Sequence, residues 1–333
     1  MSTPINELQA DVAGTVPASA AGAGAAASGL ARPGGPSGPA GPGGPSGPSG
    51  PAGPAALAPA GRRRGLFGRF GRIQITLVLA WLVIAIALAW AIAPGLFTSF
   101  DPLTGVPAEK LQGPSAAHWF GTDSIGRDLL ARVIHGSVNS LSGALIAVTV
   151  GLVVGTVIGV LAGSNGGLLD DILMRVVDVL LSIPGLLLSL SIIILLGFGT
   201  TNAAIAVGVT SVASFARLSR SEVVRVRRSE YVEAAFGSGG SYLAVLARHV
   251  LPNSLTAVIG LAALQFGTAI LAISTLGFLG YGAPPPTPEW GLLIAEGRNY
   301  IATSWWLTVL PGLVVVAVVL SANRISQSIG KQR

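Results

Sequence analysis

Residues 74–93 read QITLVLAWLVIAIALAWAIA, an apolar run with no charged residue. A helix rises 1.5 Å per residue, so about 20 such residues match the hydrocarbon core of a bilayer. Further apolar runs follow at roughly 139–163, 173–197, 200–217, 254–280 and 305–322. The fourth is the shortest and is rich in small residues. A chain patterned in this way is expected to be an all-α integral membrane protein with about six transmembrane helices. The charge content agrees. Only 10% of the residues are charged, against about 25% in soluble domains, too few to coat a water-soluble globule of this size.

The basic residues orient these spans. Arg62, Arg63, Arg64, Arg69 and Arg72 precede the first. Arg220, Arg225, Arg227, Arg228 and Arg248 lie between the fourth and fifth, and Arg324, Lys331 and Arg333 follow the sixth. Six crossings put all three groups on one side, and basic residues collect on the cytoplasmic side. Both termini are therefore expected in the cytoplasm, with the loops at 94–138, 198–199 and 281–304 outside. Residues 1–72 are expected to form a disordered Gly/Pro/Ala-rich cytoplasmic tail ending in the Arg cluster, and 73–333 the transmembrane domain. In the tail a Gly recurs at every third position from Gly35 to Gly53. This is the collagen period, but the run is short, and its lack of apolar surface favours a disordered, partly polyproline segment.

Several chemistries are excluded. The chain has no Cys, and His118, His135 and His249 show no metal-ligand spacing, so no metal site is expected. Neither Lys110 nor Lys331 completes a phosphate loop, which needs Lys followed by Ser or Thr. No nucleophile with an evident base stands out, so no catalytic residue is expected, and the arginines between apolar runs favour a membrane over nucleic acid as partner. Asp178 is the one clear carboxylate inside a span, with Arg175 three residues before it on the same helix face. The pair is either a structural ion pair or part of a transport pathway. Gly151, Gly155 and Gly159 lie four apart on one face, the spacing of a close helix–helix contact, within the subunit or with another. Outside the membrane, Asp123, Arg127 and Asp128 are close enough for a helix cap and a salt bridge, with a partner contact as the alternative. Trp290, Trp305 and Trp306 fall at the outer boundary, where Trp serves as an anchor, with a docking role as the alternative, and Trp290 is a possible outer-face contact.

Residues 219–253, SRSEVVRVRRSEYVEAAFGSGGSYLAVLARHVLPN, are longer than an exit loop requires. They read as a charged helix through Ala235, a break at Gly237, Gly239 and Gly240, and a second helix ending at Pro252. The surface at Glu233, Ala234 and Ala235 suits either a groove on a partner or an amphipathic contact with lipid.

The run Glu233-Ala234-Ala235, then Gly239, then Leu251-Pro252 resembles the EAA-x-x-x-G…L-P signature of ATP-binding cassette (ABC) importer permeases. The resemblance extends over roughly 118–323, through HWFGTDSIGRDLL from His118, MRVVDVLLSIPGLLLSL from Met174 and LQFGTAILAISTLGFLGYG from Leu264. It is closest to the C-type subunits of the dipeptide, oligopeptide and nickel branch. It implies a type I importer permease fold in which residues 233–239 form a coupling helix. It implies as partners a second homologous permease, two ATP-binding cassette subunits and an extracytoplasmic substrate-binding protein in a bacterial cytoplasmic membrane. ATP and Mg would be bound by the ATPase subunits and no cofactor by this chain. The function implied is half of an alternating-access pathway for di- or oligopeptides. A permease for nickel chelates or another small solute, and a stand-alone secondary transporter or channel, are the alternatives. Ile273 stands where the family often has Glu, and SANRISQSIGKQR replaces the usual C-terminal pattern.

Overall fold

The computed structural model describes residues 67–330. The expected disordered tail up to residue 66, its Gly triplets, the Arg62–Arg64 cluster, Lys331 and Arg333 lie outside the described residues. Within them the chain is helical, and the only β-type pairing is an isolated bridge between Thr122 and Asp128. The helices are α1 (Phe67–Ile92), α2 (Leu129–Asn165), α3 (Gly167–Ser182), α4 (Gly185–Leu196), α5 (Thr200–Arg227), α6 (Glu230–Gly237), α7 (Tyr242–Val245), α8 (Leu251–Phe278), α9 (Trp290–Gly297) and α10 (Trp306–Gly330). α1 starts at Phe67, inside the segment expected to be tail, so residues 67–72 extend the helix that carries the first span.

Among the described residues, α1, α2, the helix spanning Tyr242–Phe278 and α10 are long and apolar enough to cross a membrane. α3 and α4 together give a fifth candidate, bent by 96°. The sequence suggests one continuous span there. The bend follows from Pro184, which lacks an N–H and holds Ile183 in an extended conformation (φ −88°, ψ 130°). The remaining expected span, 200–217, lies in α5, which is long enough but less apolar. Its alanines are covered by protein: Ala203, Ala204, Ala206 and Ala216 are fully buried, as is Phe215. A helix surrounded by other helices does not need the hydropathy of a lipid-facing one. α1 shows the contrast, with Ile75, Val78, Leu79, Leu82 and Ile86 exposed along its length.

The glycine stripe of α2 packs against α5 within this subunit and continues to Gly163. A Cβ on Gly155 would lie 2.5 Å from the Val212 carbonyl oxygen, and one on Gly159 would lie 2.4 Å from that of Ala216. Contacts advance together along both helices, from Gly151 at Ser211 to Gly163 at Arg220, so α2 and α5 run parallel. Only glycine permits this backbone approach. Ion pairs join α3 to α5 as well. Asp170 accepts two hydrogen bonds from Arg220, at 2.7 and 2.6 Å, and Asp178 pairs with Arg217 at 2.5 Å. Asp178 therefore pairs across helices and not with Arg175, three residues away. Lateral reach to α5 prevails over sequence proximity, and both side chains of the pair are more than half exposed. The main core joins α2, α5, α8 and α10 through residues such as Ala147, Phe215, Ile270 and Val315. Ile273 is buried there.

Candidate functional site

At the basic end of the helices, α5 runs out of the core to Arg227 and the chain turns into α6. Glu230 and Glu233 occupy the first turn of α6, where negative charge complements the helix dipole. The helix ends in a Schellman turn. Gly239 adopts φ +86°, its N–H bonds the Phe236 carbonyl, and the Gly240 N–H bonds the Ala235 carbonyl at 3.1 Å. Gly239 is required by its backbone angle. Gly240 is required by space, since a Cβ there would lie 2.7 Å from the Ala235 carbonyl oxygen.

The structure corrects the expected helix boundaries in this loop. α5 and α6 are separate helices, divided at Arg228–Ser229, and the second loop helix does not end at Pro252. Instead α7 passes through a π-helical segment, Leu246–Val250, directly into α8. Pro252 falls in the first turn of α8, where its missing N–H is tolerated, and the ladder widens to a π-turn just before it.

One face of α6 is buried. Val232 packs with Val223, Val226, Val245 and Val250, and Val160, Ala235 and Leu246 close this second, smaller core. The other face, with Tyr231, Glu233, Ala234 and Phe236, is exposed, and Leu243 of α7 is exposed beside it. Of the expected coupling residues, the fold brings Glu233, Ala234, Ala235 and Gly239 into one helix-turn unit. Leu251 and Pro252 lie at the start of α8, beyond the π-helical segment.

This unit is fastened to the end of α2. Arg227 donates to the Gly163 and Ser164 carbonyls at 2.9 and 2.5 Å, and the Tyr242 hydroxyl donates to Ser164. These are carbonyls of the last helical turn, which have no partner within the helix. The Arg227 guanidinium also lies 6.0 Å from the Tyr242 ring centroid, and that ring stacks on Phe236.

The opposite, loop-rich end is closed by buried charge. Asp123 accepts from Arg127 at 2.6 Å and from Arg132 at 3.1 Å, and Glu296 pairs with both arginines. Asp128 caps α2 by accepting from the Ala131 N–H at 2.7 Å, and it pairs with His118 at 2.8 Å. All of Asp123, Arg127 and Asp128 are buried, so they are not available as outer-face contacts. Trp290 also requires correction. It is fully buried, and its indole N–H donates to the Val133 carbonyl at 3.0 Å, so it is neither an interface anchor nor a docking residue. Trp306 is buried too, whereas Trp305 is half exposed.

Beside Trp290, the side chain of Glu289 caps α9 by accepting from the Gly291 and Leu292 N–H groups, both at 2.9 Å, and Ser140 donates to it at 3.3 Å. Burial pushes its pKa above the ordinary carboxylate range, against the opposing pull of these hydrogen bonds.

Arg132 and Glu296 escape a reading of the sequence because they are partners from distant parts of the chain, and the burial of Glu289 against Ser140 is equally non-local. Arg227 and Tyr242 were visible only as members of a basic, aromatic loop. The isolated position of Arg132 in the apolar run after Asp128 is the one local signal of a buried pair. Among the described residues no group of His, Cys, Asp and Glu is arranged to hold a metal ion.

Residues 155–332 match the family model described as binding-protein-dependent transport system inner membrane component. The chain is 38% identical to the dipeptide transport system permease protein of Alkalihalophilus pseudofirmus, over 77% of this chain and 83% of that protein. It is 38% identical to the probable D,D-dipeptide transport system permease protein of Escherichia coli K12, over 75% and 83%. It is 34% identical to the glutathione transport system permease protein of Pectobacterium atrosepticum, over 78% and 86%. Among solved structures, the MetNI methionine ABC transporter in an inward-facing conformation aligns with 19% identity and a TM-score of 0.47, covering 60% of this chain and 96% of that one.

Proposed function

The chain belongs to the binding-protein-dependent transport system inner membrane components, the permease subunits of ABC importers, and from that premise we propose that it forms half of an ATP-driven pathway for di- or oligopeptides. The observation that carries the coupling part of this reading is the exposed face of α6, held on its own small core and fastened to α2 and α5. The names of the dipeptide, D,D-dipeptide and glutathione relatives support the substrate class.

In this reading the basic end, with both termini, faces the cytoplasm, and the loop-rich end faces outward toward a substrate-binding protein. Two ATPase subunits bind ATP and Mg, and one of them docks on Glu233, Ala234 and their exposed neighbours. Closure of the ATPases displaces α6. The valine core passes that displacement to α5, and Arg227 and Tyr242 pass it to the end of α2. The tight α2–α5 contact then moves both helices together, and the cavity shared with a second permease changes the side to which it opens.

The test is affinity purification of the tagged chain from its own membranes in mild detergent, beside a Glu233→Arg variant. The wild type should bring down a second permease and the ATPases, and the variant should keep the permease and lose the ATPases. Uptake of alanyl-alanine by the purified complex in liposomes should require ATP. A chain that is recovered alone and moves solute without ATP would show the reading to be wrong.

A further inference from the structure

The bend between α3 and α4 faces the middle portions of α5 and α8 across a cavity of about 340 Å³. Six polar side chains stand among its apolar walls: Ser189, Thr210, Ser211, Ser214, Gln265 and Thr268. No Asp, Glu, Lys, Arg or His lines it. The bend lies within the bent helix pair that is a candidate membrane span, and Thr210 and Gln265 lie near the middles of α5 and α8, so the polar groups sit at one level, away from the helix ends. Lipid is a poor neighbour for hydroxyl and amide groups at that level. From Leu77 to Ile92, α1 carries no hydroxyl, amide or charged side chain, so the polar cluster is a local feature.

Four of the five hydroxyls spend their donors within their own helices. Thr210 and Ser211 donate to the Val207 carbonyl at 2.7 and 3.0 Å, Ser189 donates to that of Gly185 at 2.9 Å, and Thr268 donates to the Gln265 Oε1 at 3.0 Å. These groups still offer acceptor lone pairs to the cavity. The Gln265 side-chain nitrogen has no partner among the described residues and offers two N–H donors. The bend also leaves backbone polar groups at this level, because Pro184 has no N–H and the Leu188 N–H is the first of α4 to find a helical carbonyl. Irregular backbone at membrane depth is stable where it is covered by protein or lines a watered path. The volume would hold about eleven waters at roughly 30 Å³ each, and it lies at the small end of ligand pockets.

We propose that this cavity is the chain's contact surface for peptide in transit. It recognises the peptide bond through neutral hydrogen bonds, with Gln265 as the specificity-determining donor to a peptide carbonyl. A peptide bond is one donor and one acceptor, which the hydroxyl lone pairs and the Gln265 amide match. With no charge in the lining, cationic and anionic side chains pass without being trapped, as transit requires binding weak enough to release. The inference rests on the permease reading above and adds where this chain touches its substrate.

The experiment uses the complete transporter, with its partner permease, ATPases and binding protein, in liposomes. Uptake of labelled alanyl-alanine, alanyl-lysine and alanyl-glutamate is compared for the wild type, Gln265→Leu and Gln265→Glu. Wild-type rates should agree within about threefold, since neutral hydrogen bonds discriminate weakly. Gln265→Leu should slow all three about five- to tenfold, the loss of one hydrogen bond. Gln265→Glu should raise the lysine-to-glutamate ratio about tenfold or more through the added charge. Partner recovery should be unchanged in both variants. If the wild type moves the peptides and both variants match it, the cavity assignment is overturned and the permease reading stands. If either variant loses the second permease, the cluster is a seam between permeases and the assignment is again overturned. A wild type that moves none of the three overturns both readings.

Discussion

At the loop-rich end, Asp123, Arg127 and Arg132 are buried and, with Glu296, answer one another's charges within the chain. At the basic end, Glu233 and Arg228 are exposed, the Glu222–Arg225 pair is largely exposed on its Arg side, and the aromatic side chains Tyr231 and Phe236 stand beside them uncovered. One end therefore pairs its buried charges largely within the chain. The other places an exposed surface on a small apolar support. Buried pairing fixes a shape, whereas an exposed, mechanically fastened surface can receive a partner and transmit its motion. The glycine contact between α2 and α5 joins the two ends, because both helices pass through the core from one to the other.

The sharpest way to break this contrast is Arg132→Ala. It leaves Asp123 and Glu296 short of a buried partner and should cost about 3–5 kcal/mol. Thermal unfolding of the purified complex should show the loss. If stability holds and only ATP-coupled uptake falls, the loop-rich end takes part in coupling and the contrast fails. Next in size, Gly159→Val places side-chain atoms against the backbone of α5 and should cost about 3 kcal/mol, seen as lower recovery of folded chain. Gly312→Ala is the control, since nothing lies within 4 Å of the added Cβ. A tolerated Gly159→Val would mean that the seam is looser than its geometry and does not join the ends.

Arg227→Ala sharpens the comparison from the other side. Loss of its bonds to the last turn of α2 should cost only about 1.5 kcal/mol of stability. It should leave ATPase binding intact while lowering peptide uptake per ATP hydrolysed. Equal uptake per ATP in wild type and variant would remove Arg227 from the coupling path.

The smallest effect concerns Glu289. Its folded pKa is raised by burial, so the folded state holds this proton to higher pH than the unfolded state does. The associated stability is present below the ordinary carboxylate pKa and is lost as pH rises through the raised folded value. Melting temperatures of wild type and Glu289→Gln, followed upward from about pH 4.5, should show the wild type losing ground to the variant. Parallel curves would mean that Glu289 is not held protonated.

Much of this was legible locally. The uncharged run at 74–93, the Gly151-Gly155-Gly159 spacing and the Glu233-Ala234-Ala235…Gly239 pattern are short-range signals, and each corresponds to a local structure: a helix long enough to span, a face narrow enough for close contact and a helix that ends in a left-handed glycine. The partnership of Asp178 was not legible. Its sequence neighbour Arg175 and its actual partner Arg217 have the same charge and reach, and only the packing of α3 on α5 selects between them. Trp290 misled for a similar reason, since its place beside the outer boundary gave no sign that a loop would fold it inward onto α2.

The sequence by itself determined that this chain is built from membrane-length helices and carries the Glu233-Ala234-Ala235…Gly239 pattern, because hydrophobic run length, glycine spacing and turn residues act over a few neighbouring positions. Only the tertiary structure decided that α5 is enclosed, that Arg132 joins Asp123 to Glu296 and that Gln265 and Thr210 line one cavity. Those outcomes depend on which helix faces lie side by side, and residues far apart along the chain are brought together only when the whole core packs.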